Sequence, residues 1–155
     1  MKWMPPLSRP VTLTVALAVI AAAGCRKSAP EPRVVINDTT FRVEVATSQA
    51  DLHQGLSDRR QLAADAGMLF VFARPGELTF HMKDCYFPID LAFLDADRRI
   101  VRLETMAVEK DPAHPMRQYR SVQPAAYALE TVGGTWERIG AQVGMTVTFL
   151  DVPGH

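Results

Sequence analysis

Hydrophobic and polar residues alternate along most of the chain after residue 33. Phe41, Val43 and Val45 fall on one side of an extended segment, while charged residues fall on the other, and this period of two predicts a half-buried strand. Similar short runs predict about eight strands, at residues 34–36, 41–45, 68–72, 78–82, 89–94, 100–105, 125–131 and 145–149. Turn residues separate them, and the four runs from 68–72 through 100–105 are predicted to be consecutive antiparallel strands in a meander.

Two short segments carry helix signals instead. Thr47 or Ser48 can cap a first helix, because an acid follows Ser48 at the spacing of a capping box, and Gly55 lies near its end. Thr135 can begin a second helix that Gly140 ends. The expected fold is mainly β (α+β), a compact antiparallel β-sandwich or barrel of about eight short strands with two short helices.

The first 24 residues have a different character. They contain Lys2, Arg9 and no acid, followed by an apolar run over residues 11–23. That run is shorter than the roughly 20 residues a helix needs to cross a bilayer. It ends in two alanines, a glycine and Cys25, which resembles the cleavage site of bacterial lipoproteins. We therefore expect a lipoprotein signal peptide at 1–24 with Cys25 acylated; the alternative is ordinary cleavage with a free Cys25.

Composition suggests the organisation of the remaining chain. Residues 25–32 are rich in proline and small side chains and are predicted to be a tether, and residues 33–152 a single β-rich domain. Arg26 stands where an aspartate would resemble an inner-membrane retention signal. We expect anchoring on the periplasmic side of the outer membrane, with the periplasm or inner membrane as alternatives.

Charge and cysteine content restrict the partners. Lys2 and Arg9 leave with the signal peptide, so the mature part has 15 basic and 17 acidic residues, which are scattered along it. This pattern lacks the basic footprint of a nucleic-acid-binding protein. If Cys25 is lipidated, Cys85 has no disulfide partner, and it is interpreted as a small buried hydrophobe or as a reactive or metal-binding thiol. We expect a monomer without a cofactor that contacts the membrane through its lipid anchor.

Chemically active side chains concentrate in residues 79–95, which are predicted to form two strands joined by a turn. Lys83 and Asp90 flank that turn and can form a cross-strand ion pair. Alternatively, Lys83 is the electrostatic anchor of a ligand pocket and Asp90 orients it. Alternation places His81 on the same face as Lys83. The candidate ligand-binding residues are Lys83, Asp90, His81, Asp84, Arg59 and Glu130.

Motifs for metal binding and catalysis are weak. No histidine lies in an HxH or HExxH pattern, and there is no CxxC pair. His81, Met82 and Cys85 offer the soft ligands that copper prefers, but alternation directs His81 and Met82 to opposite sides. The sequence has no GxSxG elbow, phosphate-binding glycine loop or dinucleotide fingerprint. We therefore predict no catalytic residues and no metal ligands.

Several short motifs resemble a known family. They are Gly67-Met68-Leu69-Phe70-Val71-Phe72, Phe80-x-Met82-Lys83, Pro88-Ile89-Asp90 and Phe93-Leu94-Asp95-Ala96-Asp97. Together they are similar to the domain of unknown function 192, from about Phe41 through Val147. This chain has His81, Asp84 and Cys85 where that family usually has an aromatic, an amide and a hydroxyl. The resemblance implies a small, mostly β prokaryotic domain, often exported, whose activity is not established.

These patterns lead to a functional expectation. We predict a cell-envelope lipoprotein that acts as a non-catalytic binding module for a small polar or anionic envelope ligand. The alternative is a protein–protein interaction domain in envelope assembly, since Tyr86 and Phe87 are predicted at the tip of a hairpin. A copper-binding protein and a hydrolytic enzyme are further alternatives.

Overall fold

The computed structural model describes residues 30–155, which form a mainly β structure. The predicted signal peptide and Cys25 lie outside the described residues. No helix within residues 30–155 is long and apolar enough to cross a membrane. The elements are β1 (Arg33–Ile36), β2 (Thr39–Ala46), α1 (Gln49–Gln54), β3 (Ala66–Gly76), β4 (Thr79–Phe80), β5 (Ile89–Leu94), β6 (Ile100–Met106), β7 (Tyr119–Arg120), β8 (Ala125–Val132), α2 (Thr135–Ile139) and β9 (Thr148–Leu150).

Seven strands form one curled sheet, a half-barrel, in the order β6-β5-β8-β3-β2-β1-β9. Its two edge strands meet at one point, where Arg99 and Thr146 form an isolated antiparallel bridge just before β6 and β9. The remaining two strands, β4 and β7, pair with each other in a separate small sheet. The predicted β class and the two short helices are confirmed, although Gly134 rather than Thr135 is the N-cap of α2.

The predicted strand pairing is wrong at two places, and the first is the expectation that all strands are antiparallel, which fails for β2 and β3. These strands run parallel, with Val43 opposite Gly67. A parallel pair needs a crossover connection rather than a tight turn, and residues 47–65, including α1, provide it. Ser48 caps α1 as predicted, because its Oγ accepts the backbone N–H of Asp51 at 3.1 Å. Gly55 follows the last helical residue.

The second error is the predicted hairpin over residues 79–95. β4 pairs with Tyr119–Arg120 in the small sheet, whereas β5 lies between β6 and β8 in the large one. Every residue of Ile89–Leu94 is buried. A strand buried on both faces needs partners on both edges, so it takes a central position, and the two-residue β4 cannot satisfy it. His81 to Pro88 therefore form a loop between two sheets.

Hydrophobic side chains form two clusters, one on each face of the large sheet. The first packs α2 against the strands, and its aromatic members are Phe41, Tyr127, Trp136 and Phe149. The second is covered by α1, the small sheet and the 81–88 loop; its buried members are Ala46, Leu56, Met68, Phe70, Met82, Cys85, Ile89, Leu91, Phe93, Met106, Ala125 and Ala128. Residues alternate between the clusters along residues 91–94 of β5 and residues 127–129 of β8, as a period of two requires.

Candidate functional site

A pocket of about 160 Å³ opens on the face of the sheet that carries the second cluster. The end of α1 forms one wall and β4 forms the other, while β3 and β8 supply Phe70 and Glu130. Its lining residues are Leu52, His53, Gln54, Gly55, Leu56, Ser57, Phe70, Phe72, Leu78, Thr79, Phe80, His81, Cys85 and Glu130. The lining is therefore mixed, with aromatic rings beside a few polar groups, as in small-molecule sites.

Glu130 is the most completely buried ionisable side chain of this pocket. Its register neighbours are Met68 on β3 and Leu91 on β5, both members of the second cluster. The residue is only 4% exposed, and its Oε2 has no hydrogen-bond partner among the described residues. Burial raises the pKa of Glu130 to about 8, although the charge of Arg59 acts in the opposite direction. At neutral pH this carboxyl group is mostly protonated.

Gly55 keeps the space beside Glu130 open. Gly55 follows the last residue of α1, and its backbone φ is +50°, a value that residues with a Cβ atom rarely adopt. A Cβ at this position would lie 3.3 Å from the ring of Phe70 and 3.8 Å from Glu130 Oε2. The chain therefore passes close to the buried carboxyl group at a position where a side chain would crowd Phe70.

Arg59 lies near Glu130 but is engaged elsewhere. Its guanidinium group forms two parallel hydrogen bonds to the Glu44 carboxylate, at 2.5 and 2.7 Å. This bidentate pair lowers the pKa of Glu44 mainly through hydrogen bonding. Arg59 and Glu44 line a second pocket on the other side of Gly55. Of the six ligand-binding residues predicted from the sequence, Glu130 and His81 line the first pocket. Arg59 lies in the neighbouring second pocket.

Lys83 and Asp90 are not brought together. Asp90 is 1% exposed and faces the first cluster, where its Oδ1 accepts the Thr105 hydroxyl at 2.7 Å and its Oδ2 accepts the backbone N–H of Trp136 at 2.8 Å. Lys83 is exposed in the loop on the opposite face. Asp90 is therefore not the ion-pair partner of Lys83, because both of its oxygens are occupied by other groups.

The 81–88 loop is held mainly through its backbone. The Lys83 carbonyl accepts the Ser57 hydroxyl at 2.8 Å, and the Asp84 carbonyl accepts the Asp58 N–H at 2.8 Å. Asp84 itself has φ of +51°, which its short polar side chain tolerates. Tyr86, predicted as an exposed aromatic, is covered on one face by the guanidinium group of Arg60, 4.0 Å from the ring centroid. This loop closes the second cluster and does not present Lys83 to the pocket.

Cys85 is the free thiol among the described residues, and it is buried. Burial, followed by the nearby Glu130 charge, raises its pKa to about 12, so the thiol stays protonated at physiological pH. Its neighbour Met82 is fully buried, whereas His81 is exposed. Within residues 30–155 there is no group of three or more His, Cys, Asp and Glu side chains placed to hold a metal ion.

Sequence reasoning missed the aromatic half of the pocket. Phe70, Phe72 and Phe80 line it, and Phe80 packs edge-on against Phe70 with ring centroids 5.0 Å apart. His53 also lines the pocket from α1. The available signal was the glycine directly after an amphipathic helix, since Gly55 leaves space that another residue would fill. The aromatic residues themselves are indistinguishable from core residues in sequence.

The structure is a small half-barrel with a pocket on the face of the sheet that carries the second cluster. The chain belongs to the family DUF192, "Uncharacterized ACR", whose model matches residues 33–149. This confirms the resemblance seen in its sequence motifs. No curated protein matches the chain significantly.

Solved structures of two bacterial proteins resemble this chain. A "putative transcription regulator" from Sinorhizobium meliloti 1021 is 31% identical, with a TM-score of 0.69, over 79% of this chain and 94% of that one. A protein of unknown function from Novosphingobium aromaticivorans DSM 12444 is 29% identical, with a TM-score of 0.68, over 76% of this chain and 83% of that one. The family and the fold are therefore shown, and the biochemical activity of the family is unknown.

Proposed function

We propose that this protein is a cell-envelope lipoprotein whose β-rich part binds a small polar molecule in the pocket between α1 and β4 without transforming it. The observation that carries the proposal is the Glu130 carboxyl group, which lines the pocket, is buried, and has an oxygen without a partner among the described residues. Burial of an unsatisfied polar group costs about 1–3 kcal/mol, so a ligand that satisfies it gains that free energy.

The size of the pocket supports a ligand with one ring or a group of similar size. An apolar cavity of roughly 150 Å³ holds one benzene molecule. The pocket here has about 160 Å³, with the three phenylalanine rings of the lining on its apolar side. A one-ring compound with a single polar substituent therefore matches both halves of the lining.

The protonation state of Cys85 supports binding without nucleophilic chemistry at that thiol. The Cys85 thiol, whose pKa is raised to about 12, has little thiolate to act as a nucleophile. The name of the Sinorhizobium protein suggests transcription regulation, which usually requires a basic surface that binds DNA. The mature part proposed for the present chain carries more acidic than basic residues, so we do not propose that role for it.

The anchor is tested with the full-length protein expressed in bacteria fed labelled fatty acid. Wild type and Cys85→Ala should incorporate the label, and Cys25→Ala should not, because acylation requires the thiol at position 25. The Cys85→Ala variant is the matched control for loss of a cysteine. Label retained in Cys25→Ala would overturn the lipoprotein assignment.

The binding site is tested by thermal unfolding of the purified protein with benzamide, a neutral one-ring compound. Benzamide should raise the unfolding midpoint of wild type, since a ligand that binds only the folded state stabilises it by mass action. Thr79→Trp places a bulky ring at the exposed edge of the pocket and should abolish that increase. Thr148→Trp, an equally exposed strand threonine on β9, should retain it. The site is refuted if millimolar benzamide stabilises both variants equally, or if neither benzamide nor a charged compound with the same ring stabilises wild type.

A further inference from the structure

The charge of the ligand can be inferred from the residues that surround Glu130. The pocket lining contains a carboxyl group but no lysine or arginine among the described residues. Lys83, the cation that the sequence suggested as an anchor for an anion, lies outside that lining. The first pocket is therefore poorly suited to a negatively charged ligand, since it offers one acid and only the two histidines His53 and His81 as potential positive charges.

Aromatic rings make the same pocket suitable for a positive charge. Phe70, Phe72 and Phe80 line it together with Glu130. The faces of aromatic rings attract cations, with about 0.5–2 kcal/mol for each favourable contact. A carboxylate beside aromatic rings can thus bind both the charge and the apolar body of one ligand.

We infer that the pocket binds a small organic cation, with an amine or amidinium group paired to Glu130 and an apolar ring beside the phenylalanines. This inference rests on the proposed function and specifies its ligand class. The cation supplies donors to the Glu130 carboxyl group, which lines the pocket and whose buried Oε2 has no partner within residues 30–155. It also makes the buried charge of the ionised carboxylate tolerable, because an uncompensated buried charge is unfavourable.

Arg59 does not already fulfil this role. Both terminal nitrogens of its guanidinium group bond to Glu44, and its charge only partly offsets the effect of burial on Glu130. The other titratable groups that face the region are the Cys85 thiol, which remains neutral, and His53 and His81 of the lining. A mobile ligand cation is therefore the group best placed to pair with Glu130.

The pairing has a consequence for protons. Free Glu130 is mostly protonated below about pH 8, because burial raises its pKa. A bound cation stabilises the ionised form, so binding releases the proton of Glu130 to solvent. The affinity for a permanently charged ligand should therefore rise by up to about tenfold for each pH unit between pH 6 and 8.

The test compares three compounds that share one benzene ring and differ in charge: benzamidinium, benzamide and benzoate. Binding to the full-length protein is measured by calorimetry at pH 7 and by NMR shifts of backbone amides beside the pocket. Benzamidinium should bind at least tenfold more tightly than benzamide, and benzoate most weakly. Calorimetry in buffers with different ionisation enthalpies should show release of about one proton per bound benzamidinium.

Two variants assign the effect to Glu130. Glu130→Gln keeps the shape of the side chain but cannot ionise, so it should lose the preference for benzamidinium and the steep pH dependence while still binding benzamide. Glu137→Gln, an exposed glutamate of α2 outside the pocket, should behave as wild type. If the pH dependence persists in Glu130→Gln, the histidines of the lining cause it and the inference is wrong.

The outcomes separate the two proposals. Benzamide binding that equals or exceeds benzamidinium binding leaves the proposed pocket intact and overturns the cationic ligand. Tightest binding of benzoate overturns it as well, and it favours the anion predicted from the sequence. If none of the three compounds binds at millimolar concentration, both the pocket function and its ligand class are refuted.

Discussion

Two buried carboxyl groups on opposite faces of the same sheet have opposite surroundings. Asp90 is 1% exposed, and both of its oxygens accept hydrogen bonds from groups of the fold. Glu130 is 4% exposed, yet its Oε2 has no partner among the described residues. Similar burial therefore serves two purposes. Asp90 joins β5 to β6 and to the start of α2, whereas Glu130 faces a pocket beside a glycine.

The comparison shows why burial alone does not identify a functional acid. A charge that is fully hydrogen-bonded stabilises the structure and has no remaining capacity for a ligand. An acid in a pocket with an oxygen that has no partner can still accept a hydrogen bond from a ligand. Its pKa is also perturbed, and both features are typical of binding and catalytic sites. Free hydrogen-bonding capacity, rather than burial, distinguishes Glu130 from Asp90.

The largest expected effect is the loss of stability in Asp90→Ala. Removing the carboxylate leaves the Trp136 N–H and the Thr105 hydroxyl without their acceptor in a buried place. Hydrogen bonds to charged groups contribute about 1.5–3 kcal/mol each, so the free energy of unfolding should fall by about 3 kcal/mol or more. Urea denaturation measures it. A loss below about 1 kcal/mol would contradict the structural role of Asp90.

The next effect is a pH dependence of stability that Glu130 alone causes. In the folded protein its pKa is raised to about 8 from an ordinary value of 4.5, so between these values the folded state holds a proton that the unfolded chain has lost. The contribution of Glu130 to stability is therefore greatest below about pH 4.5, falls as the pH rises toward 8, and is constant above it.

This dependence is measured as a difference between proteins. Because Glu130→Gln does not titrate, its advantage over wild type in free energy of unfolding should grow by about 2 kcal/mol or more from pH 5 to pH 8, given about 1.4 kcal/mol per unit of pKa shift. Urea denaturation at several pH values in both proteins cancels the contributions of other acids, such as Glu44. A difference that stays constant across this range would show that Glu130 has an ordinary pKa.

The sequence predicted the elements of this fold better than their pairing. The alternating and apolar runs identified the β class, and the Ser48 cap and the glycine after α1 identified the first helix, because these signals are local. The order of strands depends on contacts between distant residues. The run of residues 89–94, buried throughout, indicates a central strand, but nothing in it indicates that β8 rather than β4 is its partner.

The candidate site shows the same limit. Asp90 and Glu130 are both single acids within apolar runs, a pattern that indicates a buried carboxyl group. Their different surroundings come from distant groups, since the Trp136 N–H lies 46 residues from Asp90 along the chain. Residues 83 and 90 are near neighbours in sequence, which suggested a pair, but the loop between the two sheets separates them onto opposite faces.

The smallest expected effect is that of Lys83→Met, which tests the anchor predicted from the sequence. Lys83 is exposed, and the contacts that hold this residue use its backbone, including the carbonyl that accepts the Ser57 hydroxyl. Surface substitutions of this kind change stability by less than about 0.5 kcal/mol, and benzamide binding should be unchanged because Lys83 does not line the pocket.

Asp90→Asn is the matched comparison and should destabilise clearly more, since an amide cannot replace both charged acceptors. Urea denaturation and calorimetry of both variants measure the two quantities. Weakened binding in Lys83→Met with unchanged stability would instead place Lys83 at the ligand, and the pocket between α1 and β4 would then extend to the loop.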